Sequence, residues 1–223
     1  WEEAIDIVSF ELSRIKKKYK NKAFFAGSYG WGSAGRFHHA QSQLHTFLNC
    51  IGGYTRSKFT YSFAAAEAMV PHVLGSYRAY LDTCTSWDLI KKSTELFVCF
   101  GGVPLKNGQI CQGGTGNHYQ KESIISAASS GIEFVNVSPL KSDLMDEAGG
   151  KWLSLRPNTD TALMLGIAHT LHIEGLSDKD FLNKYTEGFD IFLNYLIGFS
   201  DGIQKDANWA SEICDIPANE IRE

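Results

Sequence analysis

Two short apolar runs, each followed by residues that end a strand, constrain the fold of this chain most. Residues 95–100 run into Gly101-Gly102, and residues 132–137 run into Ser138-Pro139. The sequence predicts a helix over 121–130 between them. A strand, a helix and a second strand in this order indicate a parallel βαβ crossover. We therefore expect the α/β class, with Rossmann-like lobes of parallel sheet and flanking helices.

The rest of the chain adds further predicted elements to this unit. An amphipathic helix is expected first, and a short buried strand follows it. Glycine or proline residues mark the ends of several predicted helices. Pro71 is different, because it falls within the predicted helix 64–74 and is expected to kink it or to mark a break. The predicted helices cover 1–20, 35–51, 64–74, 159–172 and 179–197, and the predicted strand covers 23–27. A seam near 88–94 divides the chain into lobes 1–90 and 91–223.

Composition excludes several classes of protein. Hydrophobic residues make up 43% and charged residues 21% of 223 residues, which is enough apolar material for a sizeable core. The net charge of −4 argues against nucleic acid as a partner, because phosphate contacts need a basic surface. No apolar run reaches the roughly 20 residues of a membrane span. The chain starts at Trp1, and we expect both ends to be cut from a longer chain.

A glycine-rich turn lies between the predicted strand 23–27 and the helix that follows. It holds Gly27, Gly30, Gly32 and Gly35, and between them stand Tyr29 and Trp31. Glycines at such a position allow backbone N–H groups to approach a ligand at a helix N-terminus. A turn that only has to be tight does not require large aromatic residues such as Tyr29 and Trp31. The turn therefore either contacts a ligand or packs into the core.

Three loops follow strands or begin helices where an open α/β sheet presents its ligand site. Lys106 and Asn107 lie after the first strand, and Ser138 and Pro139 follow the second. Asn158, Thr159 and Asp160 begin a helix, where they either cap it or contact the edge of a purine. Together these loops indicate one crevice that could hold a nucleotide.

Other polar residues have ordinary structural interpretations. Ser62 precedes a helix, and a serine there is usually an N-cap. Two sets of histidines, His38, His39 and His45 and then His169 and His172, lack the spacing of common zinc motifs. From the residues alone, neither set is singled out as a metal site.

Longer motifs run through the chain in a fixed order. They are Ala26-Gly-Ser-Tyr-Gly-Trp-Gly-Ser-Ala-Gly-Arg-Phe-His38, Tyr61-Ser62 with Ala64-Ala65-Ala66, Pro71-His-Val-Leu-Gly75, Thr85-Ser86-Trp87, Pro104-Leu-Lys106, Asn158 to Leu171, Asp178 to Leu182 and Asp206 to Cys214. These motifs resemble the dimethyl sulfoxide reductase family of molybdenum enzymes, in the branch of dimethyl sulfoxide, trimethylamine N-oxide and biotin sulfoxide reductases. The resemblance covers essentially the whole chain and implies the central part of a larger molybdopterin oxidoreductase.

The resemblance implies a bis(molybdopterin guanine dinucleotide) molybdenum cofactor. Ser62 matches the serine that ligates the metal, and Tyr29 and Trp31 match the pair beside the oxygen that the metal takes up. Trp31 is also expected to bind the cofactor. Residues in the three loops match those that hold one guanine dinucleotide: Lys106, Asn107, Ser138, Pro139, Asn158, Thr159 and Asp160.

The implied reaction removes oxygen from an S-oxide or N-oxide. A hydroxyl oxygen such as that of Ser62 is a hard donor suited to a high-valent metal, and Tyr29 favours sulfoxides over trimethylamine N-oxide. An electron donor, either a protein such as a c-type cytochrome or a cytoplasmic reductant, is implied. The expected compartment is the periplasm, with the cytoplasm as the alternative.

Several positions depart from the family pattern. Phe59-Thr60 stands where Gly-Asp is usual, Phe63 replaces a small residue, and 141–146 match poorly. Two alternatives therefore stay open. One is another reaction of the molybdopterin superfamily, such as hydroxylation, hydroxyl transfer or hydration. The other is a nucleotide-binding or structural α/β module without a redox metal.

Overall fold

The structure is a computed structural model that describes residues 1–33, 38–110 and 116–223, apart from the side chain of Tyr80. The chain forms two compact units. Unit 1 comprises residues 1–86 and 109–118, and unit 2 comprises 87–108 and 119–223. The sequence-based division into lobes 1–90 and 91–223 stays a prediction.

Unit 1 is helical in its described residues. Its helices are α1 (Glu2–Tyr19), α2 (Ala40–Cys50), α3 (Ala64–Leu74) and α4 (Tyr77–Asp82). Pro71 lies inside α3. The strand predicted over 23–27 is wrong, since a 3₁₀ turn and a single parallel bridge between Phe25 and Thr55 occupy this stretch. The start predicted for α2, together with Gly35, lies outside the described residues.

Unit 2 contains a three-stranded parallel sheet in the order β1-β2-β3. The strands are β1 (Leu96–Phe100), β2 (Glu133–Val137) and β3 (Lys151–Leu153). Its helices are α5 (Trp87–Ser93), α6 (Gln120–Ser129), α7 (Asp160–Ile173), α8 (Lys179–Tyr185), α9 (Phe189–Leu196), α10 (Ala207–Cys214) and α11 (Ala218–Arg222). The parallel sheet with helices confirms the predicted α/β class.

The side chains of β2 alternate between two buried clusters. Phe134 belongs to a cluster with Cys99 and with Ile124 of α6. Val137 belongs to a second cluster with Leu163 of α7 and residues of α10 and α11. Since successive side chains of a strand point to opposite faces, β2 is covered on both faces. Strand β1 is not, because its side chains at Leu96, Val98 and Phe100 are exposed. Burial in the first cluster raises the pKa of the Cys99 thiol to about 11, which keeps it protonated and unreactive at neutral pH.

The predicted helix over 179–197 is two helices. Gly188 has a φ of 78° and separates α8 from α9. Helix α8 ends at Tyr185, where Thr186 is extended, and Gly188 is the N-cap of α9 in a left-handed conformation that glycine adopts without strain. The apolar periodicity runs through both helices, which is why the sequence pattern alone does not reveal the break.

Candidate functional site

The Ser62 loop, residues 59–63 of unit 1, is held by hydrogen bonds to its backbone. The N–H of Thr60 donates to a carboxylate oxygen of Glu67 at 2.6 Å. The N–H of Tyr61 donates to the hydroxyl oxygen of Tyr29 at 2.9 Å. Phe59 begins the loop with a φ of 66°, a conformation that is uncommon for a bulky residue. Two side chains from outside the loop therefore fix the backbone just before Ser62.

Ser62 is not the N-cap of α3. The N-cap is Phe63, which makes no side-chain cap, and the N–H of Phe63 donates to the hydroxyl of Thr60 at 3.4 Å. Ser62 itself is exposed. The capping interpretation is therefore wrong for this serine, and its hydroxyl group is presented to the outside of unit 1.

Tyr29 reaches the Ser62 loop from the glycine-rich turn. The rings of Tyr29 and Tyr61 stack at 6.1 Å between centroids and 15° between planes. Because the Tyr29 oxygen accepts from the N–H of Tyr61, its own proton is left to be donated elsewhere. Trp31 lies two residues further along the same turn and is 44% exposed. An O–H and an indole N–H, both hydrogen-bond donors, thus stand on the turn that contacts the Ser62 loop.

Three loops of unit 2 meet at one edge of the sheet, which we call the carboxyl edge. They are residues 101–108 after β1, 138–143 after β2 and 154–160 after β3. Because the strands are parallel, their carboxyl ends lie at the same edge. All the loop residues predicted to bind the dinucleotide belong to these loops.

Ser138 is built into its loop rather than open to solvent. It is 1% exposed, and its hydroxyl donates to a carboxylate oxygen of Asp143 at 2.6 Å. The hydroxyl also accepts from the N–H of Leu140 at 3.3 Å. The Ser138 carbonyl accepts from the indole N–H of Trp152 at 2.8 Å. Its polar groups therefore shape the loop, and Pro139 follows it as an exposed residue.

Lys106 lies on the neighbouring loop, in a 3₁₀ turn (Leu105–Gly108) that also contains Asn107. Its ammonium group is 3.7 Å from the other carboxylate oxygen of Asp143. The Lys106 side chain is 70% exposed, so most of its charge faces solvent. Lys106 and Ser138 are thus brought together through a residue that the sequence analysis did not single out.

The third loop is fixed to α10. Arg156 makes two hydrogen bonds to the carboxylate of Asp215, at 2.9 and 2.7 Å. The hydroxyl of Thr159 donates to the Arg156 carbonyl at 2.6 Å. Asn158 has a φ of 66°, and Asp160 begins α7. Thr159 is the N-cap residue of α7, but its hydroxyl does not accept a hydrogen bond from the helix. The hydroxyl stabilises the preceding loop instead.

Asp143 is the main residue that the sequence reasoning missed. It lies in the stretch 141–146, which matches the family pattern poorly, and its contacts come from two separate loops. The one signal in the sequence is a carboxylate that follows Ser138 at the end of a strand. The histidines have structural roles: the ring of His39 caps α2 by accepting from the N–H of Ser42 at 3.2 Å. His169 is buried in α7.

Among the described residues, no three His, Cys, Asp or Glu residues come together as a metal-binding group. No helix in the described ranges is long and apolar enough to cross a membrane.

Comparison with known proteins gives one consistent family. The family model described as molybdopterin oxidoreductase matches residues 1–213. A biotin sulfoxide reductase from Cereibacter sphaeroides is 42% identical over 222 residues, which cover 100% of this chain and 30% of that protein. A dimethyl sulfoxide/trimethylamine N-oxide reductase from the same organism is 41% identical over 223 residues, which cover 100% of this chain and 27% of that protein. The chain therefore belongs to the molybdopterin oxidoreductase family, as the resemblance predicted.

Other relatives support the same assignment. A trimethylamine-N-oxide reductase from Haemophilus influenzae is 38% identical over 226 residues, covering 100% of this chain and 27% of that protein. Among solved structures, acetylene hydratase from Pelobacter acetylenicus matches with a TM-score of 0.56 and 20% identity, covering 100% of this chain and 27% of that one. This last likeness shows the fold alone. The chain spans 27 to 30% of the length of these relatives.

The described residues fit a molybdenum–pterin cofactor. Ser62 offers an exposed hydroxyl oxygen, a hard donor of the kind that a high-valent metal accepts. At the carboxyl edge, the exposed ammonium of Lys106 suits an anionic group. One buried polar atom at this edge, the Oδ1 of Asn136, has no hydrogen-bond partner within the described part of the chain. Donor chemistry and charge therefore agree with the family.

Proposed function

We propose that the protein reduces an S-oxide or N-oxide with a bis(molybdopterin guanine dinucleotide) molybdenum cofactor. The observation that carries this proposal is the Ser62 loop. There, Ser62 is exposed and does not cap α3, and the neighbouring N–H of Tyr61 donates to the hydroxyl of Tyr29. Relatives that match over the whole chain are named as biotin sulfoxide, dimethyl sulfoxide and trimethylamine N-oxide reductases. The reaction consumes two electrons and two protons, and it releases a sulfide or amine together with water.

Four side chains of unit 1 have distinct parts in the proposed site. Ser62 supplies the protein's oxygen ligand, and Glu67 and Tyr29 hold the backbone that precedes it. The Tyr29 hydroxyl donates a hydrogen bond to the oxygen of the substrate, and the Trp31 N–H is a second hydrogen-bond donor. Donors held in place before the reaction stabilise charge where it develops. When bound, the cofactor supplies the electrons and takes up the oxygen atom.

In this proposal, the carboxyl edge of unit 2 binds one guanine dinucleotide of the cofactor. Lys106 pairs with an anionic group of a guanine dinucleotide, and Asn107 and Pro139 border the same loops. Asn158 and Asp160 present an amide and a carboxylate from the third loop, suited to the donors and acceptors of a purine. Thr159 and Ser138 keep these loops in shape through their own hydrogen bonds.

The proposal is tested on the protein expressed from its complete gene. We expect elemental analysis to find molybdenum and acid hydrolysis to release GMP. With a reduced viologen as the donor, we expect turnover of dimethyl sulfoxide, biotin sulfoxide or trimethylamine N-oxide. Ser62→Ala should lose activity, whereas Ser57→Ala, an exposed serine before the same loop, should retain it. Absence of molybdenum, or full activity of Ser62→Ala, contradicts the proposal.

The choice of substrate depends on Tyr29 in this proposal. Tyr29→Phe keeps the ring that stacks on Tyr61 and removes the hydroxyl that faces the loop. We expect kcat/KM for the sulfoxide to fall more than kcat/KM for trimethylamine N-oxide. Unchanged kinetics on both substrates would show that the Tyr29 hydroxyl has no part in selecting the substrate.

The donor and the compartment are proposed on the family resemblance. We propose an electron-donor protein such as a c-type cytochrome and a periplasmic location, with a cytoplasmic reductant as the alternative. Fractionation of cells, followed by stopped-flow oxidation of candidate donors, tests both. Activity confined to the cytoplasmic fraction supports the alternative.

A further inference from the structure

Asp143 joins two loops of the carboxyl edge through its side chain. One carboxylate oxygen accepts the hydrogen bond from the buried hydroxyl of Ser138 at 2.6 Å. The other is 3.7 Å from the ammonium of Lys106. The Asp143 side chain is only 14% exposed. A carboxylate in such surroundings attracts a nearby cation more strongly than an exposed one does.

The backbone of Asp143 joins the same two loops a second time. Its carbonyl accepts from the N–H of Val103 at 2.7 Å. Gly102 lies so close to Asp143 that an added Cβ would be 2.6 Å from the Asp143 carbonyl oxygen and would also meet the Asp143 Cβ. Gly102 has a φ of 74°, which a larger residue would adopt only with strain. The loop after β1 therefore packs directly against Asp143, and no side chain fits between Gly102 and Asp143.

The loop after β2 is fixed to the sheet beneath it as well. The buried amide of Asn136 donates to the Lys141 carbonyl at 3.1 Å, and Asp143 ends the 3₁₀ turn (Lys141–Asp143) that this contact supports. The position of the carboxylate is thus set by the sheet and not by the exposed end of the loop. It exists before any ligand is bound.

We propose that Asp143 is a positioning residue that holds the Lys106 ammonium at the carboxyl edge, ready for an anionic group of the dinucleotide. This inference rests on the proposed function, since it concerns how the proposed cofactor is retained. A lysine side chain has several rotatable bonds, and ordering it only on binding reduces affinity. Asp143 restricts Lys106 beforehand, while Ser138 occupies the carboxylate oxygen that Lys106 does not face.

The test measures how fast guanine nucleotide is lost from the complete holoenzyme. After incubation at a fixed temperature and gel filtration, GMP released by acid from the retained protein is measured against time. The variants are Asp143→Asn, Lys106→Met and the double variant. Asp146→Asn, an exposed carboxylate in the next turn, is the matched control. The midpoint of thermal unfolding of each variant is measured alongside.

We expect Asp143→Asn to lose nucleotide about tenfold faster than the unmodified protein, in line with the effect of residues that orient a ligand-binding side chain. In the Lys106→Met background, the same substitution should change the rate less than twofold, because Asp143 acts through Lys106. Asp146→Asn should leave the rate unchanged. A merely structural role of Asp143 would accelerate the loss equally in both backgrounds.

Other results overturn the inference. An unchanged rate in Asp143→Asn contradicts it, and so does equal acceleration with and without Lys106. If Asp143→Asn does not fold, Ser138→Ala, which frees the carboxylate from its partner, must accelerate the loss in the presence of Lys106 and not in its absence. A holoenzyme with molybdenum but no GMP rejects both the dinucleotide and the inference, whereas normal GMP content with an unaffected variant rejects the inference alone.

Discussion

The two units hold their candidate site residues by different means. In unit 2, two buried clusters pack against the two faces of the central strand β2, and the carboxyl edge extends directly from β1, β2 and β3. In the described part of unit 1, the buried apolar side chains are Phe24 and Leu48. The Ser62 loop is instead fixed by hydrogen bonds that its backbone N–H groups donate to Glu67 and Tyr29.

This difference separates two ways of preparing a site. The strands that carry the carboxyl edge take their rigidity from packing, and hydrogen bonds such as that from Ser138 to Asp143 then fix the loops on this packed base. The Ser62 loop depends on a few polar contacts, each contributing roughly 1 kcal/mol. Core substitutions should therefore destabilise unit 2 strongly, whereas single polar substitutions in unit 1 should alter its chemistry with little effect on its stability.

The largest expected effect comes from the core of unit 2. Leu163 is fully buried in α7, so Leu163→Ala should lower the free energy of unfolding by about 2–5 kcal/mol. Leu171→Ala on the same helix is the control, because Leu171 is 43% exposed, and it should cost less than about 1 kcal/mol. Chemical denaturation measures both. Equal losses would mean that α7 does not anchor the core as the structure indicates.

An ion pair in which only the lysine is buried gives the next effect. Lys205 is 2% exposed, and its ammonium lies 2.8 Å from Asp201. Asp201→Asn leaves this buried charge without its partner, so the midpoint of thermal unfolding should fall by several degrees. In unit 1, Asp82 pairs with Arg78 at 3.6 Å with both side chains exposed, and Asp82→Asn should have no measurable effect. A fall as large in Asp82→Asn would remove this contrast between the units.

The same ion pair predicts a dependence on acid. The hydrogen bond from Lys205 holds the pKa of Asp201 below its ordinary value. The unfolded chain therefore binds the proton first as the pH falls, and the stabilisation present at neutral pH is lost below about pH 4. Thermal unfolding at pH 3 to 5 should show a smaller decline for Asp201→Asn than for the unmodified protein. An equal decline would exclude Asp201 as a source of the acid sensitivity.

A smaller effect on stability, with a visible effect on chemistry, is expected at Glu67. Glu67→Ala removes the acceptor of the Thr60 N–H, whereas Glu67→Gln keeps an oxygen acceptor in the same place. We expect Glu67→Ala to lower kcat several-fold and to change the electron paramagnetic resonance signal of pentavalent molybdenum, with less than about 1 kcal/mol of destabilisation. Glu67→Gln should restore most of both properties. A resonance signal that is the same in all three proteins would separate Glu67 from the metal site.

The smallest effect concerns a histidine in α7. Burial lowers the pKa of His169, although Asp206 acts in the opposite direction and His172 lowers it further. The unfolded chain therefore takes up this proton first as the pH falls through about 6.5, and stability decreases below that pH. His169→Gln should have a shallower decline in thermal midpoint between pH 7 and 5.5, whereas His118→Gln, at an exposed position, should not. Identical slopes would contradict the buried state of His169.

Sequence reasoning succeeded where one local pattern determines the structure. Strands β1 and β2 each have five residues, so the pattern that predicts each strand lies within one short segment. Helix α7 likewise has an apolar stripe within its own sequence. The expected strand over 23–27 failed because Phe25 is 69% exposed and forms only one bridge. Strand β3 was missed because its three residues include Lys151 and Trp152 and give no apolar run.

The position of the loops was predictable where they follow predicted strands. Lys106 and Ser138 were expected at one edge because parallel strands present their loops together, whereas Asn158 was expected from the start of a helix. Their binding roles stay predictions. The burial of Ser138 was not predicted. The contact between Lys106 and Asp143 was not predictable either, since it joins loops that are distant in the sequence. The hydrogen bond from Tyr61 to Tyr29 has the same origin, because it joins residues 32 positions apart.

The proposed role of Ser62 as the protein's ligand to molybdenum is tested by X-ray absorption at the molybdenum edge. Spectra of the oxidised holoenzyme are compared with those of Ser62→Ala, with Ser57→Ala as the control. We predict that Ser62→Ala loses one oxygen neighbour of the metal while its sulfur neighbours are unchanged, and that Ser57→Ala matches the unmodified protein. A metal shell that is the same in Ser62→Ala and the unmodified protein, at equal molybdenum content, contradicts the assignment.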